Sequence, residues 1–119
     1  MKLLVLMLAL VSVQSAEPQD INVTGKWLFQ VETGAGSGTP TVEFKQDGEK
    51  LTGRYTGQLG DVDFTGTLKG KTITFTFSSS VSGFDIKATY TGTVETKDSM
   101  KGTLVIEGLG EGTFTGKRQ

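Results

Sequence analysis

From Val23 to the end of the chain, apolar and polar residues alternate with a period of two. No window in this stretch shows the 3.6-residue spacing of an amphipathic helix. The plainest segment is "KTITFTF" at 71–77, where Ile73, Phe75 and Phe77 fall on one face and Thr72, Thr74 and Thr76 on the other. The same reading gives inward faces of Trp27, Phe29 and Val31 in a first strand, Val42 and Phe44 in a second, and Leu51, Gly53 and Tyr55 in a third. Val62, Phe64, Gly66 and Leu68 line the fourth, and the "KTITFTF" segment is the fifth. Phe84, Ile86, Ala88, Tyr90, Gly92 and Val94 line the sixth, Met100, Gly102, Leu104 and Ile106 the seventh, and Gly112, Phe114, Gly116 and Arg118 the eighth.

Short connections join all eight strands, and none is long enough for a Greek-key crossover. A sheet with one apolar face hides that face by closing on itself, which also removes its edges. The pattern therefore predicts an all-β fold, an eight-stranded antiparallel up-and-down (meander) β-barrel, with a β-sandwich as the alternative. Its polarity, apolar inside and charged outside, is the reverse of an outer-membrane barrel.

A phrase with a central glycine recurs as "LTGRY" (51–55), "FTGTL" (64–68), "YTGTV" (90–94) and "MKGTL" (100–104), and in altered form as "FTGKR" (114–118). Parity points each of these glycines inward, where a missing side chain relieves crowding and lets a strand coil sharply. They are construction features: none precedes a helix as a phosphate-binding loop would. The turns fall into two sets. "QDGEK", "KGK" and "TKDS" are short and polar, and Asp-Gly is a hairpin signal. "TGAGSGTP", "GQLGD", "SSSVSG" and "GLGEG" are rich in small residues and read as open loops around a mouth.

The first stretch stands apart. "MKLLVLMLALVSVQS" carries one positive charge, an apolar run and then small polar residues, the order of a secretory signal peptide. The expected organisation is a signal peptide over 1–16 and a single barrel domain over 17–119, secreted or periplasmic. Without Lys2, 11 basic residues face 13 acidic ones, a net charge of about −2. That excludes a basic footprint for nucleic acid or anionic membrane. Cysteine and histidine are both absent, so no disulfide holds the domain and the commonest general base and metal ligand are missing.

"TGKW" places Gly25 two residues before Trp27, and Arg118 sits at inward parity in the last strand. This pairing resembles the calycin superfamily (lipocalins, fatty-acid-binding proteins, avidins), in which a basic residue of the last strand covers a first-strand G-x-W tryptophan. The resemblance implies a barrel floor built from Gly25, Trp27 and Arg118, with the guanidinium stacked on the indole. "GKWLFQ" and "DGEKLTGRY" are locally most similar to avidin-like strands. There Tyr55 matches a biotin-contacting tyrosine and Thr33 lies where a serine hydroxyl is expected. Phe29 stands in place of the expected asparagine, and the tryptophans that wall the biotin pocket are missing, so biotin binding does not carry over.

Catalysis needs a nucleophile, base or metal in a protected pocket. The carboxylates Glu32, Glu43, Asp61, Asp63, Asp85, Glu95 and Glu107 all fall at outward parity, and Ser78–Ser80 has no activating partner that the sequence can name. The chain is read as a non-enzyme without cofactor or metal. The leading reading is a binding module for a small apolar ligand, lined by Val31, Thr33, Val42, Tyr55, Phe77, Phe84, Ile86 and Ile106, the inward residues nearest the open loops. The alternative is a filled core with functional rim loops, acting on an extracellular or periplasmic protein as an interaction or inhibitor domain. Two further features are weak. Asn22-Val23-Thr24 is a glycosylation sequon, and the outward threonine arrays superficially suit an ice-binding face, which a twisted barrel wall does not provide flat.

Overall fold

The computed structural model describes residues 21–34, 36–81 (the backbone alone at Val81) and 83–119. The signal peptide expected over 1–16 lies outside the described residues. The described chain is all β: β1 (Gly25–Thr33), β2 (Gly36–Gly38), β3 (Thr41–Asp47), β4 (Lys50–Gly57), β5 (Gly60–Lys69), β6 (Thr72–Val81), β7 (Phe84–Thr96), β8 (Ser99–Ile106) and β9 (Gly110–Arg118). Successive strands pair antiparallel, and β9 returns to β1 through seven partners from Trp27–Arg118 to Thr33–Gly112, closing an eight-stranded meander barrel.

The ninth element does not add a stave. Val31 faces Gly38 in β2, and Trp27 faces Val42 in β3. The residue numbers of each pair sum to the same value, so β2 and β3 are one strand in one register. The interruption falls at Thr39-Pro40, because Pro40 has no N–H to give the ladder; its carbonyl still accepts from Phe29 N at 2.9 Å.

The open loops expected at one end are corrected by the structure. Thr33 faces Gly36, Gly57 faces Gly60 and Val81 faces Phe84, each a two-residue hairpin, and only three residues separate Ile106 from Gly110. Gly60, Gly83, Gly108 and Gly110 adopt positive φ, which lets the chain reverse tightly. Short turns thus join the staves at both ends of the barrel, and four of the eight residues read as the loop "TGAGSGTP" are strand.

Among the described residues twenty-one apolar side chains are buried, including Trp27, six phenylalanines and both tyrosines. The barrel glycines make room for these rings. In register, Gly53 faces Phe64, Gly66 faces Phe75, Gly102 faces Phe114 and Gly116 faces Phe29. At Gly102 a Cβ would sit 2.1 Å from the Thr91 carbonyl oxygen and 2.4 Å from the Gly92 Cα. Strands this sharply coiled leave no space there for even a methyl group.

One seam is incomplete. β5 and β6 pair from Lys69–Thr72 to Thr65–Thr76, and among the described residues the ladder goes no further. Beyond that point β5 pairs only with β4, and β6 only with β7. The Ser79 hydroxyl bridges the seam by donating to the Leu59 carbonyl.

Candidate functional site

The two ends of the barrel differ in how they are filled. At the end holding both chain termini of the domain, Trp27 is fully buried and its Nε1 donates to the Val23 carbonyl at 2.9 Å. Arg118, directly opposite Trp27 in the β1–β9 ladder, holds its guanidinium 4.8 Å from the indole centroid. The same side chain donates to the carbonyls of Thr24 (2.9 Å), Asn22 (2.7 Å) and Lys97 (2.7 Å from Nη2, 3.0 Å from Nε) and to Asp98 Oδ1 (3.1 Å). A register shift between Val94 and Thr96 precedes the turn that supplies Lys97 and Asp98. Gly25, at φ +135°, passes Arg118 so closely that a Cβ would lie 3.2 Å from Nη1. Gly25, Trp27 and Arg118 therefore meet at this floor of the barrel, and a depression of about 690 Å³ lies outside it against Ile21, Val94 and Arg118.

Above the floor the interior is solid. Phe29, Phe44, Phe64, Phe75 and Phe114 pack with ring centroids 4.5–6.2 Å apart. Tyr90 lies parallel to Phe75 at 4.7 Å and edge-on to Phe114 at 5.2 Å. The packing continues through Phe77, 6.2 Å from Tyr90, to Tyr55, 4.6 Å from Phe77.

At the opposite end a cavity of about 320 Å³ opens over Tyr90. Val31 and Thr33 of β1, β2 with Pro40, and Tyr55 of β4 form part of its wall. Gln58 and Leu59 of the β4–β5 turn, Ile106 and Leu109 complete it. This volume is at the lower end of the range for small-molecule sites, about 300–1,000 Å³. Wider depressions of about 720 and 730 Å³ lie on the outer wall, over Gly92–Gly102 and Gly53, where missing side chains thin the barrel. Threonines and charged side chains line them.

The eight residues read from the sequence as a lining divide evenly. Val31, Thr33, Tyr55 and Ile106 line the cavity. Val42, Phe77 and Ile86 are buried but pack in the core instead; Phe77 lies 4.6 Å from the Tyr55 ring. Phe84 corrects the reading outright: it is 72% exposed. Its parity is inward, but β7 is 13 residues long and runs four residues beyond Ala88, the partner of Ile106 at the end of β8. Phe84 thus stands beyond the interior. The same overshoot explains why Tyr90 was missed. Six residues from its hairpin it reads as deep core, yet it faces Leu104, two residues from Ile106 at the end of β8. Strand length, rather than distance from the turn, is the signal that could have found it.

Electrostatically the cavity is unusual for what it lacks. Its lining contains no Asp, Glu, Lys or Arg, and both phenols are buried. Burial pushes the Tyr55 pKa up, against a smaller opposing pull from the Leu59 N–H directed at its oxygen. Tyr90 is pushed further, well above the ordinary tyrosine range, by burial first and by the neighbouring Tyr55 phenol second. Among the described residues no group of three or more Asp and Glu side chains is placed to hold a metal ion.

No family model matches the chain, and no curated protein does. Solved structures do match in fold. The redesigned β-barrel mFAP1 bound to DFHBI superposes with a TM-score of 0.63 at 15% identity, over 82% of this chain and 94% of that one. A second redesigned barrel, b11L5F_LGL, gives 0.64 at 15%, over 82% and 91%. A de novo designed fluorescence-activating β-barrel gives 0.57 at 19%, over 81% and 93%. The chain is therefore a small closed antiparallel β-barrel of the same fold class as these designs.

Proposed function

We propose that the chain is an exported, non-catalytic barrel that binds a small, largely apolar molecule at its open end. The observation that carries this reading is the cavity over Tyr90: concave, walled by apolar and aromatic side chains, and set at one end of an otherwise solid core. Two barrels of similar fold, mFAP1 and mFAP0, have structures bound to DFHBI, which supports an interior of this kind hosting a small molecule. Arg118 stacked over Trp27 supports placing the chain with calycin-like barrels. The charge-then-apolar order of residues 1–16 supports export to a secreted or periplasmic location. A lining without acids, bases or nucleophilic thiols favours binding over turnover.

The test is titration of the protein lacking residues 1–16 with a neutral solvatochromic dye such as Nile red. A saturable blue shift that Ile106→Trp abolishes is expected, because the indole fills the cavity. A shift that is unsaturable, or indifferent to Ile106→Trp, removes the mouth as the binding site. A second reading rests on Phe84 and Leu109, which are 72% and 53% exposed on neighbouring hairpins of the same rim. They favour a partner protein docking there. Failure of dye binding together with loss of partner capture in Phe84→Ser would select that reading.

A further inference from the structure

We infer that the mouth selects a neutral ligand carrying a hydrogen-bond acceptor, and that the Tyr90 hydroxyl is the donor that selects it. The inference rests on the proposed ligand site and names the chemistry that this site reads.

Tyr90 is 1% exposed, and its ring is held on three sides by Phe75, Phe114 and Phe29. It cannot swing to solvent. Its hydroxyl has no hydrogen-bond partner among the described residues, whereas another deeply buried side-chain donor, Trp27 Nε1, is satisfied within the protein. A buried hydroxyl without a partner is destabilising relative to phenylalanine, and five phenylalanines already form the stack beneath it. The residue lines the cavity, so the missing partner is one that a bound molecule can supply.

The polarity of the partner follows from the neighbours. Tyr55 lines the same cavity and brings a second phenol O–H to it. The two phenols are close enough for the charge of one to be felt by the other. Two O–H donors thus serve one space, and an acceptor oxygen such as a carbonyl satisfies them. An ionic group is unsuited, because no charged side chain lines the cavity to compensate its desolvation.

Fluorenone and fluorene test this directly: they are neutral tricyclic probes of nearly one shape, and only the first carries a carbonyl. Affinities of both are measured by displacement of the neutral dye from the wild-type protein and from Tyr90→Phe. The expected result is a fluorenone-to-fluorene affinity ratio about tenfold higher in the wild type than in Tyr90→Phe. An unchanged ratio, with both probes bound, overturns the role of Tyr90 and leaves the ligand site standing. Binding of neither probe to the wild type overturns both. The carbonyl stretch of bound fluorenone needs no variant. A shift to lower frequency than in hydrocarbon supports the hydrogen bond, and an unshifted band overturns it.

Discussion

Tyr90 has opposite effects on stability and on binding. With its hydroxyl buried and without a protein partner, Tyr90→Phe should raise stability in urea by about 1 kcal/mol, although it removes the donor of the mouth. A loss of stability instead would mean that the hydroxyl is bonded in the free protein. Both tyrosines of the chain are buried neutral with raised pKa values. As pH rises through the ordinary tyrosine pKa of 10.0, the unfolded chain loses those protons while the folded chain keeps them. Stability contributed by the neutral phenols is therefore intact below pH 10 and falls above it, by up to about 2.7 kcal/mol per pH unit for two groups. Urea midpoints measured between pH 8 and 11 should show this decline, and a Tyr55→Phe/Tyr90→Phe double variant should flatten it. At the floor, Arg118→Ala removes a guanidinium that reaches three backbone carbonyls and should cost about 2–3 kcal/mol. Period-two parity made Trp27 and Arg118 legible as inward residues, and the resemblance to calycin-like barrels suggested that they pair. The unpartnered state of Tyr90 was not legible, since it depends on which groups from other strands fail to reach it.

At the scale of elements, the alternation located every stave of the barrel, and the meander followed from short connections. What it misread were the ends. Gly- and Ser-rich stretches suit both loose loops and tight hairpins with positive φ, and only the cross-strand register separates the two. The glycines within strands were legible as inward features, but their necessity comes from the neighbouring backbone. Gly102→Ala places its methyl 2.1 Å from the Thr91 oxygen and should cost about 3 kcal/mol in the same urea assay. Phe84 makes the converse case. Parity assigned it to the interior, and the long β6–β7 hairpin carries it past the rim, so Phe84→Ser should change stability by no more than about 0.5 kcal/mol.

For the whole molecule, half of the lining read from the sequence reached the cavity. Residue spacing along one strand says nothing about how far each stave extends along the barrel. The cavity floor, Tyr90, is set by the relative heights of β7 and β8, and its wall includes turn residues that no inward parity marks. The incomplete seam between β5 and β6 acts at this same scale. A continuous ladder fixes the girth of a barrel as a hoop fixes that of a cask. Here the hoop is whole around Trp27 and open above Thr65 and Thr76, where one serine hydroxyl spans the gap. Among the described residues one side-chain hydrogen bond crosses the β5–β6 gap at the mouth, whereas backbone pairing crosses it at the base. The staves are laced by backbone all round at the Trp27 end and least at the cavity.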